Sequence, residues 1–368
     1  MDIEQKLALL KKYPTTEILT EQDLLRLLES GEQLKHYIGF EISGFVHLGT
    51  GLFCAAKLAD IQRAGFKTTV FLADWHSWIN KKLGENWEAY KIAGKYFAET
   101  LKRCAAIFGA DPEAVEVVYG SELYHANDEY WKQMIEVAKH TSLARARRSI
   151  TILGRKMGEK VDLAQLIYVP MQVTDIFALG VHLAHAGIDQ RKAHVIAREV
   201  AKKLTVMPLK LKEEIIKPVA LHHELLYSFA ISAVPKTKEE MIEVKMSKSK
   251  PESCAFVHDS EEELKRKILN AYCPPRQLEY NPVIQLARLV FRDEELIEIE
   301  REERYGGTLH CAGITDLLEK YSKGELHPLD LKRCVAEKVA ELLRPVREYF
   351  EGPGKSLLEE MRQVIITR

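Results

Sequence analysis

The sequence predicts an α/β fold, in which a Rossmann-like parallel sheet with a helical insertion is followed by an all-α C-terminal domain. Short β-rich apolar runs alternate with amphipathic helical patterns in the first third of the chain, and this alternation is typical of parallel sheets with right-handed crossovers. From residue 260 onward the apolar spacing is helical throughout. The chain has 368 residues, 46% of them hydrophobic, which is enough for two domains.

The elements of the first half follow from apolar spacing and from capping residues. A charged N-terminal segment, 1–14, is a short helix, and 15–31 is predicted to be a helix capped by Thr20. Three strands are predicted, at 36–42, 67–74 and 115–123. A helix from His47 to Gly65 follows the first strand, and a helix over 86–108 follows the second.

The second half is predicted to complete the sheet and then to become helical. A mostly helical insertion covers about 125–165, a helix covers 187–204, and the last strand lies within 217–226. The predicted domains are a Rossmann-like domain (1–230), a polar loop region (231–258) and a helical domain (259–368), with the boundary near residue 255.

Composition narrows the class of protein. Lys and Arg total 53 against 54 for Asp and Glu, and a local basic stripe can still bind nucleic acid at this balance. The six cysteines form no CxxC pair and no zinc-like spacing with histidine, so we interpret them as reduced thiols of a cytoplasmic protein. No apolar run approaches the roughly 18 residues of a membrane span, and the N-terminus does not resemble a signal peptide.

Two short segments far apart in the chain predict an ATP site. The first is His47-Leu48-Gly49-Thr50, where a helix would begin after a strand and direct backbone N–H groups at a phosphate. Gly49 allows a ligand close to the backbone, and His47 and Thr50 can donate hydrogen bonds to phosphate oxygens. Taken alone, this segment is equally compatible with an ordinary capped helix.

The second segment is Lys245-Met246-Ser247-Lys248-Ser249, within the polar loop. Lys245 and Lys248 are flexible point charges that can follow negative charge developing on a leaving pyrophosphate, with Ser247 as a further donor. Alone, it is also compatible with a solvated lysine-serine loop. Together and in this order, the two segments favour transfer of an adenylyl group from ATP.

A polar stripe predicts a substrate pocket. Tyr168, Gln172 and Asp175 have the spacing i, i+4, i+7 and would share one helix face between apolar neighbours. An ordinary surface face is the alternative. A basic stripe also stands out: it contains Arg145, Arg147, Arg148, Arg155, Lys156 and Lys160 and could track phosphates or simply be a solvated helix face.

The two ATP segments resemble the signature motifs of class I aminoacyl-tRNA synthetases. The blocks HYIGFEISGFVHLGTG, VFLADWH, RARRSI, LIYVPMQVTDIF, GIDQRKAH and HPLDLK resemble the archaeal and eukaryotic type of tyrosyl-tRNA synthetase, from about residue 30 to the C-terminus. The chain departs from the usual motif at Thr50, where a second histidine is expected. This difference puts in doubt a charged role for that position.

The resemblance implies a role for each site residue. Tyr37 and Asp175 would bind the phenol hydroxyl of L-tyrosine, and Tyr168, Gln172 and Gln190 its ammonium group, with Glu41 and His76 as supporting residues. His47, Lys245 and Lys248 would act in catalysis on ATP, which brings Mg²⁺. Arg148 and Arg191 would meet the first acceptor base pair of tRNA(Tyr), and Tyr305, His327 and Asp330 the first anticodon base, with Asp330 also a good helix cap.

The resemblance also implies a homodimer with the insertion at its interface, no tightly bound cofactor and no metal held by the protein. Three alternatives remain open: a tryptophanyl enzyme on the same scaffold, a nucleotidyltransferase that does not bind RNA, and a tRNA-binding module that has lost catalysis. An oxidoreductase is set aside because the sequence lacks the GxGxxG fingerprint.

Overall fold

The computed structural model describes residues 1–154, 160–231, 244–246 and 253–364. Contacts divide the chain into two compact units. The first unit contains Met1–Gly44, Cys54–Glu224 and the C-terminal residues from Leu357, and the second contains Phe45–Phe53 and Leu225–Ser356. The chain therefore passes between units at Glu224, and the segment with the first ATP motif groups with the second unit. The predicted domain division near residue 255 stays a prediction.

The first unit is built on a six-stranded sheet in the order β1-β8-β5-β2-β3-β4. Its strands are β1 (Thr15–Leu19), β2 (Lys35–Phe40), β3 (Lys67–Leu72), β4 (Val115–Tyr119), β5 (Leu183–Gly187) and β8 (Val219–His223), while β6 (Lys210–Leu211) and β7 (Glu214–Ile215) form a separate hairpin. All neighbours in the large sheet are parallel except β1 and β8. The predicted Rossmann-like parallel sheet is confirmed.

Strand order defines where a ligand fits best. The chain runs outward from β2 to β3 and β4, and then returns to place β5 on the other side of β2. In open parallel sheets such a reversal leaves a crevice beyond the carboxyl ends of the two central strands, because the connections leave in opposite directions. Residues that follow β2, β3 and β5 are therefore the first place to search for a pocket.

The helices of the first unit cover this sheet and carry the insertion. They are α1 (Ile3–Lys11), α2 (Glu21–Glu29), α3 (Ala55–Arg63), α4 (Asp74–Ile79), α5 (Trp87–Ile107), α6 (Gly120–Tyr124), α7 (Asp128–Lys139), α8 (Leu143–Ser149), α9 (Leu163–Ala178) and α10 (Arg191–Val200). Helix α9 starts at a capping box, in which the Asp162 side chain accepts from the Gln165 N–H and the Gln165 side chain accepts from the Asp162 N–H. This cap fixes the first turn of the helix with the predicted polar stripe.

Two sequence predictions in this unit need correction. The predicted helix over 15–31 is wrong in its first part, because Thr15–Leu19 is strand β1, paired antiparallel with β8. The β-branched residues Thr15, Thr16 and Ile18 favour the strand, and Thr20 then caps α2 as predicted, accepting from the Asp23 backbone N–H. Strand β5 was not predicted, and the predicted helix over 187–204 starts only at Arg191.

The second unit is mainly helical. Its helices are α11 (Glu261–Asn270), α12 (Pro282–Val290), α13 (Gly313–Lys323) and α14 (Pro328–Glu351), with a two-stranded sheet of β9 (Ile297–Ile299) and β10 (Leu309–Cys311). The last helix, α15 (Lys355–Gln363), belongs to the first unit from Leu357 onward. Ser260 caps α11 as predicted. The cap of α14 is His327, whose Nδ1 accepts from the Leu329 N–H, so the predicted cap at Asp330 is wrong; Asp330 lies within the first turn.

No helix in the described ranges is long and apolar enough to cross a membrane.

Candidate active site

Asp175 lies at the centre of a buried group of phenols in the first unit. Its side chain is on α9 and the residue is 1% exposed. Oδ1 accepts two hydrogen bonds, from the Tyr124 hydroxyl at 3.0 Å and from the Tyr130 hydroxyl at 2.9 Å. Within the described residues Oδ2 makes no hydrogen bond, and His76 Nε2 lies 3.7 Å from it. One carboxylate oxygen is thus held by the protein, and the other is left for a ligand.

Burial controls the charges in this group. Burial raises the pKa of Asp175 to about 8, although the Tyr130 and Tyr124 hydrogen bonds act in the opposite direction. Burial, and then the charge of Asp175, raises the pKa of Tyr37, which stays a neutral phenol. Burial lowers the pKa of His76 to about 3, so its ring is neutral at pH 7. The arrangement suits a neutral hydroxyl ligand better than a charged one.

His76 supplies a second unsatisfied atom beside Asp175. The residue is 2% exposed, and its ring packs edge-to-face on Tyr168 with centroids 4.5 Å apart. Its Nδ1 is 3.5 Å from the Tyr124 hydroxyl, while Nε2 has no hydrogen-bond partner among the described residues. A buried polar atom without a partner is costly, so a ligand hydroxyl at this position would remove a penalty.

A second polar group follows the carboxyl end of β2. Glu41 accepts from the Tyr168 hydroxyl at 2.8 Å and from Asn80 Nδ2 at 2.9 Å. Lys82 Nζ is 3.9 Å from the other Glu41 oxygen. Burial, and then the charge of Glu41, raises the pKa of Tyr168 well above its usual range. This carboxylate is therefore oriented by three side chains and offers negative charge to a cationic group.

Two amides bridge α9 to the residues after β5. Gln172 Nε2 donates to Gln190 Oε1 at 3.2 Å, and Gln190 Nε2 donates to the Ile152 carbonyl at 3.0 Å. Gln172 Oε1 is buried and has no partner within the described ranges. An amide oxygen that faces no donor is a ready acceptor for an ammonium group.

The structure thus brings the predicted stripe together inside the protein. Tyr168 and Asp175 are buried and Gln172 is half-buried, so the alternative of an ordinary surface face is excluded. Sequence reasoning missed Tyr124, Tyr130 and Asn80. No regular spacing in the sequence links these residues to α9. Only the topology, in which α6 and α7 follow β4, indicates that the two phenols meet Asp175.

The first ATP segment lies in the second unit. His47 pairs with Phe256 in an isolated β-bridge, and Leu48 N–H donates to the Ala255 carbonyl at 2.9 Å. His47 Nδ1 accepts from the Thr50 N–H at 3.3 Å, which leaves the proton on Nε2, 3.5 Å from the Thr50 hydroxyl. His47 and Thr50 therefore act as one pair, and the ring presents a donor nitrogen.

The predicted α-helix from His47 is a π-helix in its first part, Gly49–Cys54, and α3 begins at Ala55. Such wide turns are frequent at functional sites. A Cβ on Gly49 would lie 3.0 Å from His47 Cε1 and 3.3 Å from Leu226 Cβ. A side chain at position 49 would therefore crowd His47 and Leu226, whereas a ligand approach at that position stays a prediction.

The second ATP segment begins beside the first. Lys245 forms an isolated β-bridge with Tyr227, and Met246 N–H donates to the Leu226 carbonyl at 2.8 Å. Leu226 is also the residue that packs near Gly49, so the backbones of the two segments share a neighbour in this unit. Ser247 and Lys248 lie outside the described residues, and their predicted roles stay predictions.

Arg148 and Arg191 occupy the exposed ends of neighbouring helices in the first unit. Lys192 Nζ donates to the Arg148 carbonyl at 2.9 Å and to the Thr151 hydroxyl at 2.8 Å, which ties the end of α8 to the start of α10. Of the remaining basic stripe, Arg145 is paired with Glu199 at 2.9 Å. Arg155 and Lys156 lie outside the described residues.

The predicted anticodon residues lie in the second unit. His327 is exposed and caps α14, and Asp330 is half-exposed three residues later. Tyr305 ends a short 3₁₀ helix, Glu303–Tyr305, and its side chain lies outside the described part. Their role in binding RNA stays a prediction. Among the described residues, no three His, Cys, Asp or Glu side chains form a group that could hold a metal ion.

Comparison with known proteins identifies the family to which the chain is similar. The family described as tRNA synthetases class I (W and Y) matches residues 29–344. Curated proteins named tyrosine–tRNA ligase from Pyrobaculum calidifontis and Thermococcus kodakarensis are each 52% identical to the chain, with 100% of both sequences covered.

The crystal structure of tyrosyl-tRNA synthetase complexed with L-tyrosine from Pyrococcus horikoshii superposes with a TM-score of 0.93 at 48% identity, covering 99% of this chain and 100% of that one. The match to the family model spans five of the six strands of the large sheet, α9 with its buried carboxylate and both ATP segments. The chain therefore belongs to the class I tRNA synthetases of the tryptophanyl and tyrosyl group.

Proposed function

We propose that the chain is a tyrosine–tRNA ligase, which activates L-tyrosine with ATP and transfers it to the 3′ end of tRNA(Tyr). Asp175 carries the proposal: a buried carboxylate has one oxygen occupied by two protein phenols and the other free for a third. The full-length identity to proteins named tyrosine–tRNA ligase supports the same substrate.

The pocket selects a hydroxyl-bearing amino acid. A bound tyrosine would place its phenol beside Asp175 Oδ2, His76 and Tyr37, and its ammonium group near Gln172 and Glu41. Phenylalanine would leave the buried acceptors unpaired, and such rejection is much stronger than rejection by size alone. An indole N–H could also be accepted by the carboxylate, so tryptophan is the competitor that must be tested.

The first chemical step joins the tyrosine carboxylate to the α-phosphorus of ATP and breaks the bond to pyrophosphate. A carboxylate is ionised at pH 7, so the step needs no general base. It needs positioning and neutralisation of charge, which we assign to His47, Thr50, Lys245 and Lys248, with Mg²⁺ entering as part of the MgATP substrate. In the second step a ribose hydroxyl of tRNA attacks the acyl carbon and releases AMP.

The test is ATP–pyrophosphate exchange with tyrosine, tryptophan and phenylalanine supplied separately, followed by charging of tRNA(Tyr). We expect exchange with tyrosine alone, and tyrosine transfer to the RNA. Exchange with tryptophan would overturn the assignment of Tyr37 and Asp175. Exchange without transfer would favour the nucleotidyltransferase alternative, and no exchange would favour a non-catalytic RNA-binding protein.

We also propose a cytoplasmic homodimer that pairs through the insertion. The support is the exposure of two large apolar side chains there: Ile135 on α7 is 55% exposed and Leu143 on α8 is 63% exposed. Clustered exposed apolar side chains are typical of interfaces. Light scattering of the wild type and of an Ile135→Glu, Leu143→Glu variant tests this; a monomeric wild type would contradict it.

A further inference from the structure

Glu17 connects an exposed arginine to a buried histidine at the edge of the sheet. It lies on β1, and Arg191 Nε is 2.9 Å from its Oε1 and 2.8 Å from its Oε2. His222 Nδ1, on the paired strand β8, is 2.8 Å from the same Oε2. The side chain of Arg191 is 47% exposed, that of Glu17 is 27% exposed and that of His222 is fully buried.

The geometry of this ion pair leaves the end of Arg191 free. Both Glu17 oxygens contact Nε, and within the described residues Nη1 and Nη2 have no hydrogen-bond partner. Arginine recognises a guanine edge or a phosphate through two parallel N–H groups. A carboxylate that binds only Nε fixes the plane of the guanidinium and leaves its terminal nitrogens for a ligand.

His222 makes the support rigid. Its backbone is opposite Glu17 in the sheet register, and its Nε2 is 3.0 Å from Nδ1 of the buried His194. Burial lowers the pKa of His222 to about 3, so the ring is neutral and donates one proton from Nδ1 to Glu17. Glu17 is thus held from inside the protein and cannot rotate toward solvent without leaving a buried donor unpaired.

The position of this negative charge is unfavourable for simple attraction of RNA. Phosphate binding depends on positive charge, and an acid beside a binding arginine weakens long-range attraction. A neighbouring hydrogen bond links the two arginine positions. Lys192, at the start of α10, donates to the carbonyl of Arg148, the other arginine assigned to the acceptor stem. The side chain of Arg191 and the backbone of Arg148 are therefore both held by hydrogen bonds within the first unit.

We propose that Glu17 is a positioning residue, which orients Arg191 so that its terminal nitrogens read the first base pair of the tRNA acceptor stem. The proposal rests on the proposed function, and specifically on the RNA role of Arg191. It assigns to β1 a part in tRNA selection, in addition to its place in the sheet.

Two physical models predict opposite signs for Glu17→Gln. If Glu17 acts only as a charge, its removal strengthens tRNA binding. If it orients Arg191, kcat/KM for tRNA(Tyr) falls about tenfold, since a two-bond base contact is worth roughly that or more. Discrimination against a tRNA with an exchanged first base pair falls by the same factor. Glu213→Gln is the matched control, because it removes the same charge from an exposed residue of the same unit.

The experiment measures tRNA charging for the wild type, Glu17→Gln, Arg191→Ala and the double variant, with the native and the exchanged base pair. Tyrosine-dependent ATP–pyrophosphate exchange, which needs no tRNA, reports folding and the proposed function separately. We expect Arg191→Ala to lower kcat/KM for tRNA about tenfold to a hundredfold. We expect Glu17→Gln to have no further effect in that background, because the residues act as one unit.

Tighter tRNA binding by Glu17→Gln, or an equal loss with and without Arg191, would overturn the positioning role. If Arg191→Ala charged tRNA as well as the wild type does, the positioning role would also be overturned. The proposed function would still stand in that case, because the wild type charges tRNA normally. Loss of charging in the wild type itself would reject the proposed function.

Discussion

The proposed tyrosine pocket and the proposed ATP segments differ in how their side chains are buried. In the first unit, Asp175, His76 and Tyr37 are buried. Desolvation shifts the pKa of each in the direction that favours the neutral form. In the second unit, His47 and Lys245 are only half-buried and belong to short bridging segments. Burial favours selectivity for one hydroxyl, whereas less buried charge suits a transition state in which charge moves. The comparison predicts that the pocket responds to substitution in substrate choice, and the ATP segments in rate.

The largest effect is expected for Asp175→Ala. Removing the carboxylate takes one acceptor from the hydroxyls of Tyr124 and Tyr130 and eliminates the proposed partner of the substrate phenol. We expect kcat/KM for tyrosine to fall by roughly two orders of magnitude or more while ATP affinity is retained. Exchange kinetics at varied tyrosine and ATP measure both. Asp162→Asn, which keeps a capping side chain on the same helix, is the control for folding, and tyrosine kinetics like those of the wild type in Asp175→Ala would reject the pocket.

The next effect is expected for Lys248→Ala. An ammonium group that acts on the leaving pyrophosphate contributes in the transition state more than in the ground state, so kcat for adenylate formation falls about tenfold to a thousandfold. The tyrosine KM changes much less. Single-turnover formation of tyrosyl-adenylate separates chemistry from binding. A change confined to KM would mean that the loop only holds ATP, and the stated difference between the two regions would disappear.

A similar loss in rate is expected for His47→Ala, whose ring supplies the donor nitrogen beside Thr50. Thr50→Ser keeps the hydroxyl and serves as its matched control. Equal losses in the two variants would indicate that the segment is sensitive to packing rather than to the imidazole.

A smaller effect, in the pH profile, is expected for Tyr130→Phe. In the wild type the hydrogen bond from Tyr130 lowers the pKa of Asp175. The variant lacks this bond, so the pKa of that carboxyl rises. Asp175 is a charged acceptor only above its pKa of about 8, and kcat/KM for tyrosine therefore increases with pH through that region. We expect the rise to move to higher pH in Tyr130→Phe.

The substrate titrates identically with both proteins, so the difference between their profiles reports on Asp175. Tyr119→Phe is a control phenol, because its hydroxyl makes no contact with that carboxylate in the described structure. An unshifted profile would show that Tyr130 only fills space.

The two regions also differ in how far the sequence predicts them. The stripe Tyr168, Gln172, Asp175 follows helical spacing, and the structure places it on α9, with Tyr168 and Asp175 buried. The phenols that hold Asp175 could not be found this way, because they come from separate elements that only the strand order brings together. Strand β1 was missed because a cap signal at Thr20 extended the helix pattern backward over β-branched residues. Local signals predict elements, and the contacts between elements depend on topology.

The smallest and most general effect concerns stability in acid. A row of buried histidines crosses β2, β5 and β8: His36 Nε2 lies 3.3 Å from His185 Nδ1, and His185 Nε2 lies 2.8 Å from His223 Nδ1. Burial lowers the pKa of His36 to about 3 and of His223 to about 4, with Lys57 adding repulsion at His223 and Asp189 opposing it. Unfolded histidines titrate near 6.5, so this stabilisation is complete above that pH and is lost progressively as the pH falls toward 3.

The second unit has a different dependence, since the hydrogen bond from Arg266 lowers the pKa of the half-exposed Glu263 to about 2, and such pairs persist to lower pH. We therefore expect the free energy of unfolding of the first unit to fall between pH 6.5 and 4, before that of the second. Hydrogen exchange of amides in β2, β5 and β8 against those in α11 and α14, followed at pH 7, 5.5 and 4.5, measures it. His36→Gln should flatten the decline in the first unit, because glutamine has no proton to gain. Simultaneous loss of protection in both units would show that burial of these histidines does not control acid stability.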